Sequence, residues 1–366
     1  MRRRTFLKAA GTGAAGLGVS ASLATPALAQ SQPALKWKLT TSFPKSLDIL
    51  HEGAETFARA VSEATDKRFE IEVFAAGALA PAFKAADAVE SDAAQMAVTA
   101  SYYFLGKDLA FALPSAVPFG LNARMQNAWQ YQGGGIERMN RFYERFNIHA
   151  LPCGNTGTQM AGWFRREIND VSDLKGLRFR VGGFAASVLS RLGVETPQVA
   201  AGDIAGALEK GELDAAGWIG PHDDLKLGFH KVAPIYHYPA WWEGGMQTHL
   251  FTNLDRWNKL PRAYQTIVRN AADMTNHWIL GRYDTLNPVA LKQLLREGAK
   301  LKPFSPAVLD ACRKAADEVY DEVGKTNPEF KSIWDEMVTF RDDQYLWKQV
   351  ADFTYDSYMI RSRRRG

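Results

Sequence analysis

Leu35, Trp37, Leu39 and Thr41 alternate with Lys36, Lys38 and Thr40, the period-two signature of a strand with one buried face. Leu50, Ala54, Phe57, Ala58 and Val61 then fall at helical spacing, and Ser46 is placed to cap that helix. Phe69, Ile71 and Val73 alternate with glutamates, predicting a second strand. Pro81 suits the first turn of a helix running through Val89, and residues 95–100 read as a third strand. Strands alternating with helices predict a parallel sheet with helices on its faces.

The pattern then repeats. Gly133-Gly134-Gly135 divides a helical region between about 122 and 146, and Ile148 to Pro152 is strand-like. After Gly154-Asn155-Thr156-Gly157 come strand Leu177–Val181, helix Phe184–Leu192, strand Val194–Val199, helix Ile204–Lys210 and strand Leu213–Ile219. Met246–Thr252 reads as a further strand. From Leu254 the chain is helical, apart from an extended piece near Leu301–Phe304. No internal repeat or low-complexity linker interrupts it. Two α/β units with ligand sites at the carboxyl ends of strands suggest a two-lobed clamshell, although an exported enzyme presents the same coarse pattern.

Composition excludes disorder: 46% of the 366 residues are hydrophobic and 11% aromatic. The formal charge of +4 invites a polyanionic partner, and its distribution removes that reading. Arg2, Arg3, Arg4 and Lys8 sit in residues 1–29, which hold no acid and end in Ala27-Leu28-Ala29. A basic head, a weakly apolar middle and a small-residue site predict an export leader cleaved after Ala29. Arg3-Arg4 followed by Thr5-Phe6-Leu7-Lys8 resembles the twin-arginine type. A second cluster, Arg361, Arg363, Arg364 and Arg365, closes the chain. Between them, Gln30 to Ile360 carries 36 basic and 40 acidic residues, so no surface for nucleic acid is expected. The mature protein is expected to be soluble and periplasmic. Cys153 and Cys312 would meet an oxidising compartment there and either pair or stay buried as thiols.

Catalytic and metal motifs are absent from the sequence. The seven histidines form no His-Glu-x-x-His pair, the cysteines no Cys-x-x-Cys, and no Gly-x-Ser-x-Gly elbow or phosphate loop occurs. Gly11-Thr12-Gly13-Ala14-Ala15-Gly16 spells a dinucleotide pattern but lies inside the leader with no strand before it. His222-Asp223-Asp224, after Pro221, reads as a solvated loop, with metal ligation the alternative.

Longer stretches carry a family resemblance. Phe74-Ala-Ala-Gly-Ala-Leu-Ala-Pro-Ala-Phe-Lys-Ala-Ala-Asp-Ala-Val89, Thr99 to Asp108 and Ala116 to Gly120 resemble the first lobe of TRAP-transporter solute-binding proteins. Gly154 to Phe164, Leu174-Lys-Gly-Leu-Arg-Phe-Arg180, Gly211 to Pro221 and Ala240-Trp-Trp-Glu-Gly-Gly245 resemble the second, closest to the branch that binds α-keto acids. The resemblance implies a type II-like clamshell with a long connecting helix and a helical C-terminus. Its lobes would be residues 30–153 with about 245–280, and 154–244 with part of the C-terminal region. Helices from about 305 to 360 would either pair protomers into a homodimer or brace the hinge.

The same resemblance implies the site. Arg180 matches the arginine that grips the substrate carboxylate, which suits a guanidinium fork able to make two parallel hydrogen bonds. Read alone, Arg180 shares a strand face with Arg178 and looks exposed. Gln159, Trp218 and Glu243 match residues beside substrate and cation, while Asn155, Tyr102 and Tyr103 are expected to line the pocket. Close α-keto-acid binders carry a glutamate directly before this tryptophan, where this chain has Gly217. One hard oxygen ligand for a sodium or calcium ion is thereby lost. The expected function is a receptor, not an enzyme, that closes on a small organic carboxylate, a 2-oxoacid such as pyruvate or a related hydroxy acid. It would deliver this ligand to TRAP membrane subunits without a cofactor. A twin-arginine-exported enzyme acting on small carboxylates is the rival reading.

Overall fold

A computed structural model of the chain describes residues 32–197, 199 and 203–363. The leader expectation, with its cleavage after Ala29, lies outside them, as do Arg364 and Arg365 of the terminal cluster. In chain order the strands are β1 (Leu35–Thr41), β2 (Phe69–Phe74), β3 (Met96–Ala100), β4 (Ile148–Asn155) and β5 (Gly162–Phe164). They continue as β6 (Phe179–Arg180), β7 (Ala215–Ala216), β8 (Ile235–Tyr238), β9 (Gln247–Asn253) and β10 (Lys300–Pro303). They form two five-stranded sheets in the orders β2-β1-β3-β9-β4 and β10-β8-β5-β7-β6. The two sheets with their helices are the two lobes of a clamshell.

The first sheet follows the hydrophobic pattern. β1 runs parallel to β2, with Leu35 opposite Phe69, and parallel to β3, with Leu39 opposite Met96. Trp37 and Leu39 are buried while Lys36 and Lys38 are exposed, as alternation requires. β9 arrives from far along the chain and inserts antiparallel between β3 and β4. All seven of its residues are buried, so its sequence reads as a run rather than an alternation.

Several expected elements shift. The helix Asp48–Ala64 starts two residues after Ser46, which does not cap it; instead Asp48 accepts from the Ile49 amide at 2.9 Å. Pro81 precedes a single 3₁₀ turn, Ala82–Lys84, and the α-helix is the short Ala85–Glu90. The strand expected over Leu177–Val181 keeps three paired residues, Arg178 to Arg180, and the one over Leu213–Ile219 keeps two. From the proposed strand Val194–Val199 only Glu195 pairs, bridging Arg178, while residue 198 lies outside the described set. β5 and β8, which complete the second sheet, are too short for any period to show.

The 35-residue helix Arg262–Arg296 connects the lobes. It packs on the helix Asp48–Ala64 and β4 of the first lobe, and on the helix Pro221–Leu227 beside the second. Two chain segments also cross between the sheets, one from Asn155 to Gly162 and one from Tyr238 to Gln247. The first leaves β4 at a bulge between Pro152 and Gly154. Gly154 has φ +148°, and a side chain there would strike Ile279 and Thr248, so this exit needs glycine. Cys153 and Cys312 are both buried free thiols. Among the described residues no helix is long and apolar enough to cross a membrane.

Candidate functional site

Both crossings and the carboxyl ends of three strands converge on a cavity of about 470 Å³. Tyr102 and Tyr103 enter from the turn after β3, Arg180 from the end of β6, and Gly217 with Trp218 from the chain leaving β7. Gln159 comes from one crossing and Glu243 from the other. This placement follows the rule that open α/β sheets bind ligands beyond the carboxyl ends of their strands.

Asn155 is not on this wall. Fully buried, it donates to Gln126 Oε1 (2.6 Å) and Gln247 Oε1 (3.3 Å) and accepts from the Gly157 amide (2.9 Å). These bonds fasten the crossing to β9, so the expected pocket-lining role is corrected to a structural one. Sequence reading also missed the apolar wall, which includes Phe43, Leu47, Phe83, Leu105 and Ile219. The position of Phe43, just past the end of β1, is the signal that identifies it.

Arg180 is held as a free cation. Its Nη1 donates to Gly217 O (3.1 Å), its Nε to Val199 O (3.3 Å), and its guanidinium carbon lies 5.0 Å from the Trp218 ring centre. No carboxylate lies within ion-pair distance among the described residues, and Nη2 has no hydrogen-bond partner there. Burial pulls its pKa below the ordinary value, against the opposing pull of Glu243 and the two tyrosines. Arg178 is the opposite case. Its Nη2 and Nε grip Asp214 at 2.8 and 3.0 Å, so its charge is spent locally.

Glu243 is the acid of the cavity. Burial pushes its pKa up to about 8, while a Tyr102 hydrogen bond and the Arg180 charge oppose this rise. Burial likewise raises Tyr103 to about 12, which keeps its phenol protonated.

Beside Glu243, the Gln159 amide sits between Trp218 O and Glu243 Oε2 on one side and Thr156 Oγ1 (3.1 Å) on the other. With its nitrogen turned inward it donates to Trp218 O at 2.8 Å and to Glu243 Oε2, and its oxygen accepts from Thr156. Rotated the other way, it presents a third oxygen to the same point while its nitrogen donates to Thr156. Three hard oxygens, one of them a carboxylate's, make a donor set that fits sodium or calcium. Gly217 contributes no side chain, and its carbonyl serves Arg180 instead.

His222, Asp223 and Asp224 are not a solvated loop. They lie on the helix Pro221–Leu227, and both aspartates are buried. Asp224 accepts from Trp163 Nε1 (3.0 Å) and Tyr236 Oη (2.7 Å).

Residues 41–327 match the family model for bacterial extracellular solute-binding proteins, family 7 (DctP). The chain belongs to this family. It is 41% identical over 365 residues, 99% of its length, to the full length of a monocarboxylate 2-oxoacid-binding periplasmic protein of Nostoc sp.. A TRAP-transporter solute-binding protein of Bordetella bronchiseptica, crystallised as a dimer with calcium and picolinate, superposes with a TM-score of 0.87 at 41% identity. That match covers 90% of this chain and 98% of the other. A Colwellia psychrerythraea relative with bound calcium and pyruvate gives a TM-score of 0.86 at 33% identity, covering 88% and 99%. One from Pseudoalteromonas atlantica with bound sodium and pyruvate gives 0.84 at 35%, covering 90% and 99%. The protein is therefore a TRAP-class solute receptor and not an enzyme.

Proposed function

We propose that this receptor binds a small monocarboxylic 2-oxoacid, such as pyruvate or a related hydroxy acid, and presents it to TRAP membrane subunits. The observation that carries this reading is Arg180: a half-buried guanidinium with two backbone anchors, a ring beneath it and an unengaged edge facing the cavity. A carboxylate pairs with that edge through charge-assisted hydrogen bonds. Gln159, Trp218 O and Glu243 would hold a sodium or calcium ion beside it, and the ion would neutralise Glu243 and fix the second ligand oxygen. The relatives' bound pyruvate, calcium and sodium support this assignment. In this chain Glu243 supplies the anionic oxygen that Gly217 lacks. Residues 30–153 with about 245–280, and 154–244 with part of the C-terminal region, would move as the two lobes. Ligand would select the closed pairing.

Export to the periplasm by a twin-arginine leader ending at Ala29 belongs to the same proposal, as does homodimer formation through the C-terminal helices. The Bordetella relative's dimer and the exposed apolar residues of those helices support the latter.

The deciding experiment is calorimetry with pyruvate on Arg180→Ala. Loss of a buried charge-assisted pair is worth about 3 kcal/mol, a drop of about 100-fold in affinity, with the circular dichroism spectrum unchanged. Unchanged affinity in the folded variant overturns the site.

A further inference from the structure

Behind the cleft wall, Asp48, His222 and Asp223 bring three ligand atoms within 4.8 Å of one another. Asp48 opens the helix Asp48–Ala64 of the first lobe, and the two others lie on the helix Pro221–Leu227. That second helix is tied to the second sheet by Asp224, which bonds to Trp163 of β5 and Tyr236 of β8. His222 Nε2 stands 3.2 Å from Asp48 Oδ1. This matches the spacing of about 3.3 Å between adjacent ligands on a tetrahedral ion with bonds of about 2.0–2.1 Å.

Asp223 supplies the independent observation. It is 1% exposed, and neither carboxylate oxygen has a hydrogen-bond partner among the described residues. The Tyr283 hydroxyl faces it and favours its charged form, without meeting full hydrogen-bond geometry. A buried carboxylate in that state is costly unless a cation offsets it.

The cluster already holds one cation of its own. Lys226, one turn beyond His222, places Nζ 2.5 Å from Asp48 Oδ1 and 2.8 Å from His222 Nε2. A single ammonium leaves two carboxylates only half compensated. Its side chain is 39% exposed, so it can swing to solvent on its flexible stem and give up the position.

We propose that Asp48, His222 and Asp223 form a second cation site, for a divalent transition-metal ion of the zinc class, with Lys226 as its displaceable plug. An imidazole nitrogen with two carboxylates suits zinc or cobalt, whereas the all-oxygen set in the cleft suits calcium or sodium. The ion fastens one lobe's helix to the other's directly behind Leu47 and Ile219, both of which line the cleft.

Zinc calorimetry and cobalt absorption on the untagged, chelator-treated protein, with calcium and pyruvate present, test the proposal. One zinc per chain is expected, with cobalt bands showing nitrogen ligation. Lys226→Met should bind zinc at least about tenfold more tightly, because the competing ammonium is gone. His222→Ala and Asp223→Asn should each lose about tenfold or more, and Gln159→Ala in the cleft should leave zinc binding unchanged. No zinc uptake by the wild type, no gain in Lys226→Met, wild-type binding in a folded His222→Ala, or loss in Gln159→Ala would each overturn it. The Lys226 variant keeps the test decisive if Asp223→Asn fails to fold.

Discussion

Glu243 couples the cleft to pH. Its proton is retained up to about pH 8, since burial penalises the carboxylate more than Tyr102 and Arg180 favour it. A cation ligated by Glu243 must displace that proton. Apparent calcium affinity should therefore climb up to about tenfold per pH unit below about 8 and level off above it. Titrations between about pH 6 and 9 should show this slope in the wild type and none in Glu243→Gln. A flat wild-type profile would remove Glu243 from the cation site. The sign for stability is the reverse. The folded carboxyl lies above its ordinary 4.5, so its contribution is full below that value and disappears as pH rises through about 8. Melting temperatures of the ligand-free protein should fall less steeply with pH in Glu243→Gln. Periodicity alone does not separate the roles of Arg178 and Arg180; the resemblance of Leu174 to Arg180 to a family motif singles out the second. Alternation puts them on one face, and only the fold brings Asp214 to the first and leaves the second free.

At the scale of elements, legibility followed length. β1 and β2 alternate over six or seven residues, and the helix Asp48–Ala64 keeps its stripe for four turns, so both were readable. The second sheet is built from strands of two to four residues, which carry no period, and its order depends on long-range pairing of β5 with β7 and β8. The helix Pro221–Leu227 had readable punctuation, with Pro221 at its first turn and Gly228 beyond it at φ +70°. Three polar residues in a row, His222, Asp223 and Asp224, disguised it. The aspartates are inside because the second sheet offers donors: Trp163 Nε1 and Tyr236 Oη both end on Asp224. Asp224→Ala strands these two buried donors and should cost about 2–4 kcal/mol, read as a lower denaturant midpoint. A change below about 0.5 kcal/mol, the range of surface substitutions, would mean that Asp224 does not anchor the helix.

The whole molecule ends in a surface that one chain does not cover. The helix Asp352–Ser362 buries none of its residues. Leu346, Trp347, Val350, Phe353, Tyr355, Tyr358 and Ile360 are each more than half exposed, across this helix and the end of the one before it. Monomers rarely leave so large an apolar run open to water. Its described ion pairs with the rest of the fold, from Arg124 and Lys348, both end on Asp352 at the helix start, which leaves the segment beyond projecting. A second copy presenting the same surface would cover both runs in a two-fold interface. The full protein should therefore sediment as a dimer at micromolar concentration. Phe353→Glu with Tyr358→Glu should sediment as a monomer, because the two carboxylates would be buried without partners in that interface. Arg180 and Glu243 lie in the cleft between the lobes rather than on these helices, so pyruvate affinity per chain should persist in the monomer. A dimer unaffected by both charges would place the contact elsewhere on the surface, and a monomeric wild type would leave the apolar run to a different partner.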